Sequence, residues 1–149
     1  MEKIEWKIAA FNQLSVEELF DVYYLRTKIF VVEQNCPYQE VDEKDKLAYH
    51  VMGFLKNEII AVARILPHNI SYPQVSIGRV AVEKNKRGKD VAHQLMLQCL
   101  QFIEQKFGKT PIKISAQQYL VEFYKKYGFL PIEEGYLEDD IPHIAMIRS

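Results

Sequence analysis

The stretch SIGRVAVEKNKRGKDVAHQLM, residues 76–96, joins an apolar run to a basic turn and then to an amphipathic helical pattern. Backbone N–H groups at a helix N-terminus have no partner within the helix, and the helix dipole adds about half a positive charge there. Such a junction binds an anion with little help from side chains. Lys84, Lys86, Arg87 and Lys89 lie in the same turn. The segment predicts a strand-turn-helix phosphate site; the alternative is a solvated connection that is basic by chance.

Length and composition predict an ordinary globular protein. At 149 residues the chain is long enough to bury about two-thirds of its unfolded surface around one core, so we expect a single domain over residues 1–149. Apolar residues make up 48% and charged residues 26%. The net charge of −1 argues against nucleic-acid binding, which needs a large positive footprint. Any anion site must therefore be local.

Two cysteines and the lack of long apolar runs bear on the compartment. Cys36 and Cys99 have no paired spacing, so neither a disulfide scaffold nor a metal site is expected. No apolar run approaches the roughly 18 residues that cross a bilayer. The N-terminal sequence also lacks the order of a signal peptide. We expect a cytoplasmic protein without a membrane partner.

Periodicity and turn residues predict seven strands and three helices in the order β-α-β-β-β-α-β-α-β-β. The predicted strands are 6–11, 50–55, 59–66, 75–82, 111–116, 129–136 and 143–147, and the predicted helices are 15–31, 89–107 and 120–127. The residues predicted for the core face of the first helix are Val16, Leu19, Phe20, Tyr23, Thr27, Phe30 and Val31. This order indicates an α/β fold, a central mixed sheet with helices on both faces, in which the unit 75–116 pairs in parallel through a right-handed crossover.

Five segments, together with this element order, carry a resemblance to a known family. They are LRTKIFVVEQNCPYQEVDEKD at 25–45, ARILP at 63–67, IGRVAV at 77–82, AQQYLVEFYKKYGF at 116–129 and YLEDDIPHIAM at 136–146. The chain resembles the GNAT N-acetyltransferase superfamily and, more closely, its ElaA-like subfamily. The resemblance implies a single GNAT-like domain that transfers acetyl from acetyl-coenzyme A to a primary amine by direct attack, without a covalent enzyme intermediate.

The resemblance also implies a coenzyme site. The family's turn pattern, Arg/Gln-x-x-Gly-x-Gly/Ala, cradles the pyrophosphate and maps onto Arg87, Gly88, Lys89, Asp90, Val91 and Ala92. Asp90 replaces the central glycine and brings a negative charge towards phosphates. We expect its side chain to turn outward and coenzyme binding to survive, weakened. The backbone of Val80, Ala81 and Val82 would pair with the pantetheine arm, as a peptide adds to a sheet edge.

For the chemistry, the resemblance places at Tyr124 a tyrosine that protonates the departing thiolate. The alternative for Tyr124 is a tyrosine packed against the sheet with its hydroxyl in water. An amine with a pKa near 10.4 must lose a proton before it attacks, so an acceptor for that proton is needed. Glu33, His143 and an ordered water relay are the candidates for this base.

Several alternatives stay open. Arg64 and Arg79 lie in apolar runs and should pair with carboxylates such as Glu33, Glu40 or Asp42, which would make Glu33 structural.

The competing functions are a non-catalytic acyl-coenzyme A sensing domain and an interaction module that keeps only the fold. The identity of the acceptor amine and the choice between monomer and homodimer are not decided by the sequence. The acidic groups at 40–45 and 138–140 are expected to be solvated loops, and Cys36 has no adjacent histidine motif that would make it a nucleophile.

Overall fold

The structure, a computed structural model, describes residues 3–149 as one eight-stranded mixed sheet with three α-helices. The strands are β1 Glu5–Ala10, β2 Tyr49–Leu55, β3 Glu58–Leu66, β4 Val75–Val82, β5 Ile112–Gln117, β6 Phe129–Pro131, β7 Tyr136–Glu138 and β8 Ile141–Arg148. The helices are α1 Val16–Thr27, α2 Val91–Phe107 and α3 Val121–Lys125. The sheet order is β1-β2-β3-β4-β5-β8-β6, and β7 pairs with β8. The predicted fold class and element order are confirmed, with one strand more than expected.

The extra strand arises because the predicted strand 129–136 is two strands. β6 and β7 both pair antiparallel with β8, and residues 132–135 leave the sheet between them. Pro131 has no N–H to continue the ladder. The following residues, through Gly135, are exposed. The single-strand prediction was therefore wrong at this point.

The predicted start of α1 and the predicted end of α2 agree with the structure to within one residue. At the start of α1 the Ser15 Oγ accepts from the Glu18 N–H at 3.0 Å, and the Glu18 carboxylate accepts from the Ser15 N–H at 2.9 Å, which together form a capping box. Beyond Thr27 the chain continues as a wider π-helical turn, Lys28–Glu33. α2 begins two residues later than predicted because Asp90 has a left-handed φ of 68°, which a right-handed helix cannot include.

The helices lie on both faces of the sheet, as predicted. α2 and α3 contribute to the larger core cluster, whereas α1 packs with Met52, Val62 and Ala81 in a second cluster. The predicted core face of the first helix is wrong at Val16 and Phe20, which are 86% and 65% exposed, whereas Phe30, in the turn after α1, is buried as predicted. The buried residues of α1 include Arg26. Because a charged side chain lies on the inner face of α1, hydrophobic periodicity alone does not predict that face.

A parallel pairing between β4 and β5 exists, as predicted, but it is short. The paired residues are Val75 with Ile112 and Ser76 with Lys113. β4 continues to Val82 and β5 to Gln117 without further pairing between them. The two strands therefore diverge towards their carboxyl ends, and the centre of the sheet opens there into a cleft.

Buried charges connect α1, the segment that follows it, and the sheet. Arg26 is 1% exposed and binds both Glu40, at 2.9 Å, and Asp45, at 2.7 Å. Arg64 on β3 also contacts Asp45, at 3.1 Å. Burial would raise the pKa of Asp45, but the hydrogen bonds and charges of Arg26 and Arg64 outweigh it and hold that pKa below its ordinary value. Asp45 is thus an ionised carboxylate in the interior.

A buried carboxylate, Asp45, should contribute far more to stability than the exposed carboxylate of Glu43. Asp45→Asn leaves Arg26 and Arg64 without their shared partner, so the free energy of unfolding should fall by about 3–5 kcal/mol in urea denaturation. Glu43→Gln is the matched control, because Glu43 lies two residues away and pairs with Lys46 only at the surface. Its effect should stay within about 0.5 kcal/mol. Equal losses in the two variants would contradict the role given to the buried ion pairs.

Candidate active site

The cleft between β4 and β5 has a volume of about 500 Å³. Its walls include Gly78 and Val80 on β4, Ser115 on β5, Tyr124 on α3 and His143 on β8. The segment after α1 and the turn between β7 and β8 also contribute to the lining. Apolar side chains lie beside polar ones, as in sites that bind a ligand with one reactive end.

A bulge in β4 forms part of the cleft wall. Arg64 pairs with Gly78 and Val62 with Ala81, so Arg79 and Val80 together oppose the single residue Ala63. Arg79 has a left-handed φ of 51°, an unfavourable conformation for a residue other than glycine. The bulge interrupts the hydrogen-bond ladder and re-aims the backbone at the point where β4 faces the cleft.

Ion pairs hold the bulge in this conformation. Arg79 Nε lies 2.7 Å from a Glu40 carboxylate oxygen, and its guanidinium donates to the Glu40 backbone oxygen, also at 2.7 Å. Arg64 contacts Asp42 at 2.7 Å. The expectation that both arginines pair with carboxylates is confirmed, with Glu40 and Asp42 as partners. Glu33 is not among those partners.

The basic turn leads into α2 with several backbone donors ahead of the helical ladder. The first backbone hydrogen bond of α2 runs from the Gln94 N–H to the Asp90 oxygen, at 3.1 Å. The amides of Val91, Ala92 and His93 precede it. Asp90 is exposed and its carboxylate does not cap the helix. Its φ of 68° gives the physical reason why glycine suits this position.

Arg87 and Glu33, predicted for different roles, lie together. The Arg87 guanidinium binds the Glu33 carboxylate through two contacts, at 2.6 and 3.0 Å, and its Nε donates to the Val82 oxygen at 2.9 Å. Glu33 does not belong to the cleft lining given by residues 3–149. Val80 lines the cleft, whereas the Ala81 and Val82 side chains are buried in the cores on either face. Lys89 is exposed at the turn with Gly88, whose φ is 77°.

Tyr124 lies on α3, belongs to the larger core cluster and is also one of the residues that line the cleft. The residue is 7% exposed and packs edge-on against Phe123 and Phe129. No hydrogen bond joins its hydroxyl to any of the residues that the structure describes. Burial raises the pKa of Tyr124 far above its ordinary value. The phenol is therefore protonated at neutral pH.

His143 is the third residue of β8 and also lines the cleft. Its Nδ1 lies 2.7 Å from the Ile141 backbone oxygen, and its Nε2 lies 3.5 Å from a Glu138 carboxylate oxygen. The ring stacks on Tyr136 at 6.3 Å between centroids. Because a carbonyl oxygen only accepts, Nδ1 must carry a hydrogen, and Nε2 is the nitrogen that can take up a proton.

The cleft also contains residues that sequence patterns do not single out. Tyr38, Tyr72 and Ser115 line it, and burial raises the pKa of each of the two tyrosines to about 12. The signals for them were weak, because isolated tyrosines and serines occur throughout the chain. Cys36 donates its thiol to the Asp139 backbone oxygen at 3.2 Å, and burial with the nearby Asp139 and Asp140 raises its pKa.

Comparisons with known proteins agree with this geometry. The family described as the acetyltransferase (GNAT) domain matches residues 17–149. Protein ElaA of Escherichia coli is 42% identical over 148 residues, covering 98% of this chain and 97% of that protein. A UPF0039 protein of Schizosaccharomyces pombe is 41% identical over 150 residues, covering 98% of this chain and 97% of that protein.

Solved structures give the same result. An acyl-CoA N-acyltransferase from Pseudomonas aeruginosa matches with a TM-score of 0.94 at 42% identity, covering 99% of this chain and 100% of that chain. A CoA-dependent acyl-homoserine lactone synthase, whose structure contains SAM and isopentyl-CoA, matches with a TM-score of 0.77 at 17% identity, covering 99% of this chain and 82% of that chain. At this identity the likeness shows the fold alone.

Residues 3–149 contain neither a metal-binding cluster nor a membrane-spanning helix. They contain no group of three or more His, Cys, Asp or Glu side chains arranged to hold a metal ion. Within the same part of the chain, no helix combines the length and the apolar character needed to span a bilayer.

Asp90 generates a prediction about anion binding at the turn. Asp90→Asn removes the charge but keeps the size and the tolerance for left-handed φ, so coenzyme A should bind about threefold more tightly. Asp90→Gly also relieves the backbone and should bind at least as tightly. Isothermal titration calorimetry at low salt measures both, with Glu104→Gln at the other end of α2 as the control for net charge. Unchanged affinity in both Asp90 variants would refute electrostatic repulsion at this turn.

Proposed function

Because the chain belongs to the GNAT acetyltransferase family, we propose that it transfers an acetyl group from acetyl-coenzyme A directly to a primary amine. The observation that carries the proposal is the opening between β4 and β5, with a backbone bulge on one side and the unpartnered Tyr124 hydroxyl on the other. The fold supports acyl transfer from an acyl-CoA. The acetyl group and the primary amine are the specific parts of the proposal.

The coenzyme would enter from the α2 side. Its pyrophosphate would accept hydrogen bonds from the amides of the turn 87–92, and the dipole of α2 favours its charge. The pantetheine amides would pair with the backbone of β4 where β5 has diverged from it. The thioester would then lie beside the bulge at Arg79 and Val80.

Acyl transfer needs three functions, and the cleft offers a group for each. A backbone N–H of the β4 bulge would donate to the thioester oxygen and stabilise the charge that develops there. His143 Nε2 would remove the proton from the acceptor ammonium, whose deprotonation at pH 7 otherwise costs about 4.6 kcal/mol. The free amine then attacks the carbonyl carbon, its nitrogen loses a second proton to solvent water, and the carbon–sulfur bond breaks as the tetrahedral intermediate collapses. Tyr124 would give its proton to the departing thiolate and recover one from solvent.

The assignment of the base follows from what each candidate contacts. Glu33 pairs with Arg87 through two contacts and is not among the described residues that line the cleft. His143 lines the cleft and presents Nε2 for protonation. We therefore propose His143, with a water relay as the alternative. Cys36 remains a thiol because its pKa is raised, which favours direct transfer over an acyl-cysteine intermediate.

A thiol-release assay tests the proposed activity. The protein is titrated with coenzyme A, and release of free thiol from acetyl-coenzyme A is then followed with pooled small amines and peptides. Amine-dependent release supports the enzyme. Binding without amine-dependent release would indicate a sensing domain, an alternative that the charge of Asp90 favours. No binding would indicate an interaction module that keeps only the fold.

Tyr124 gives the sharper prediction for the chemistry. Tyr124→Phe should lower kcat about a hundredfold because the thiolate loses its proton donor, while KM for acetyl-coenzyme A changes little. Tyr119→Phe is the control, since Tyr119 is 75% exposed on the preceding turn. Full turnover in Tyr124→Phe would remove the phenol from the mechanism.

A further inference from the structure

A continuous chain of polar contacts runs along the acceptor side of the cleft. The Ser115 Oγ donates to one oxygen of Glu138 at 3.2 Å and accepts from the Tyr136 hydroxyl in a short hydrogen bond. The other Glu138 oxygen lies 3.5 Å from His143 Nε2. The chain thus connects β5, β7 and β8 and ends at the residue proposed as the base.

We propose that Glu138 is a positioning residue for His143: its carboxylate orients and supports the imidazole for proton abstraction, and Ser115 and Tyr136 hold the carboxylate. This inference rests on the proposed function, which makes His143 the base.

The hydrogen-bond directions fit this role. The Ile141 oxygen takes the Nδ1 hydrogen of His143, and Glu138 faces Nε2. An imidazolium donates through both nitrogens, so both N–H groups meet an oxygen only after His143 has accepted a proton. A protonated His143 therefore has an oxygen facing each of its two N–H groups.

The same directions exclude a different reading of these residues. Serine, histidine and a carboxylate occur together in hydrolytic triads, where the serine donates to the histidine. Here Ser115 donates to Glu138. Its oxygen is therefore not activated as a nucleophile, and its hydrogen bond serves to fix the carboxylate.

The surroundings of His143 allow a clean test. The titratable side chains in contact with its ring are Glu138 and Tyr136, both on β7. Gln118, on the turn before α3, contacts only the His143 backbone oxygen. Glu138 is 46% exposed in its side chain, so Glu138→Gln, which keeps the shape, should fold normally.

The first measurement is the ¹⁵N NMR spectrum of histidine-labelled protein without substrate, recorded at one fixed pH. The chain has four histidines, and His143→Gln identifies the His143 signals by their loss. In Glu138→Gln the Nε2 signal of His143 should shift and broaden, because the carboxylate that faces it is gone. Glu138→Asp should restore most of the original signal. Asp140→Asn, which removes the same charge at the tip of the adjacent turn, is the control. Equal changes in Glu138→Gln and Asp140→Asn would overturn the proposal.

The second measurement separates this inference from the proposed function. With an amine that the wild type acetylates, Glu138→Gln should lower kcat about tenfold without changing KM for acetyl-coenzyme A, and Glu138→Asp should recover part of that loss. An unchanged kcat of Glu138→Gln in an active protein would overturn the positioning role. Failure of the proposed function is a different result, namely a wild type without amine-dependent thiol release.

Discussion

The buried arginine–carboxylate network is the interaction on which the active-site geometry depends. Arg26 is almost fully enclosed between Glu40 and Asp45, and Arg79 shares Glu40 with it. Removing either charge type would leave the other unpaired in the interior, at a cost of several kcal/mol. The network therefore fixes the segment after α1 against the sheet. It also holds the left-handed Arg79, and with it the bulge that turns the backbone of β4 towards the cleft.

Short-range signals explain how much of the fold the sequence predicts. The start of α1 at the Ser15 capping box and the end of α2 at Gly108 depend on neighbouring residues, and the parallel β4–β5 pairing follows from the strand-helix-strand order. The inner face of α1 could not be predicted, because Arg26 is buried only through partners 14 and 19 residues away. The break between β6 and β7 lies between Pro131 and Gly135, two residues that weaken a strand, and the prediction of a single strand over 129–136 did not take them into account.

The candidate site divides in the same way. The family resemblance pointed to Tyr124 by position, and His143 was a candidate because histidine is a common base and begins the last predicted strand; both residues line one cleft. Ser115 and Glu138 were beyond the reach of a sequence pattern, because their contact depends on β5, β7 and β8 being neighbours. Strand register brings Gln117 and Tyr136 to opposite sides of His143. Contacts of this kind follow from pairing across the sheet and not from spacing along the chain.

The basic turn shows how the backbone and side chains share the binding of an anion. The lysines and Arg87 of residues 76–96 indicated a phosphate site. In the structure, however, Arg87 is already paired with Glu33 and donates to the Val82 oxygen. Its contribution is therefore to fix the turn against the end of β4. The donors left ahead of the helical ladder are the backbone amides at the start of α2, and their direction does not depend on side-chain charge. This explains how the turn tolerates Asp90. An exposed carboxylate at that position reduces the local field, but it does not block the amides, since it makes no capping hydrogen bond to them.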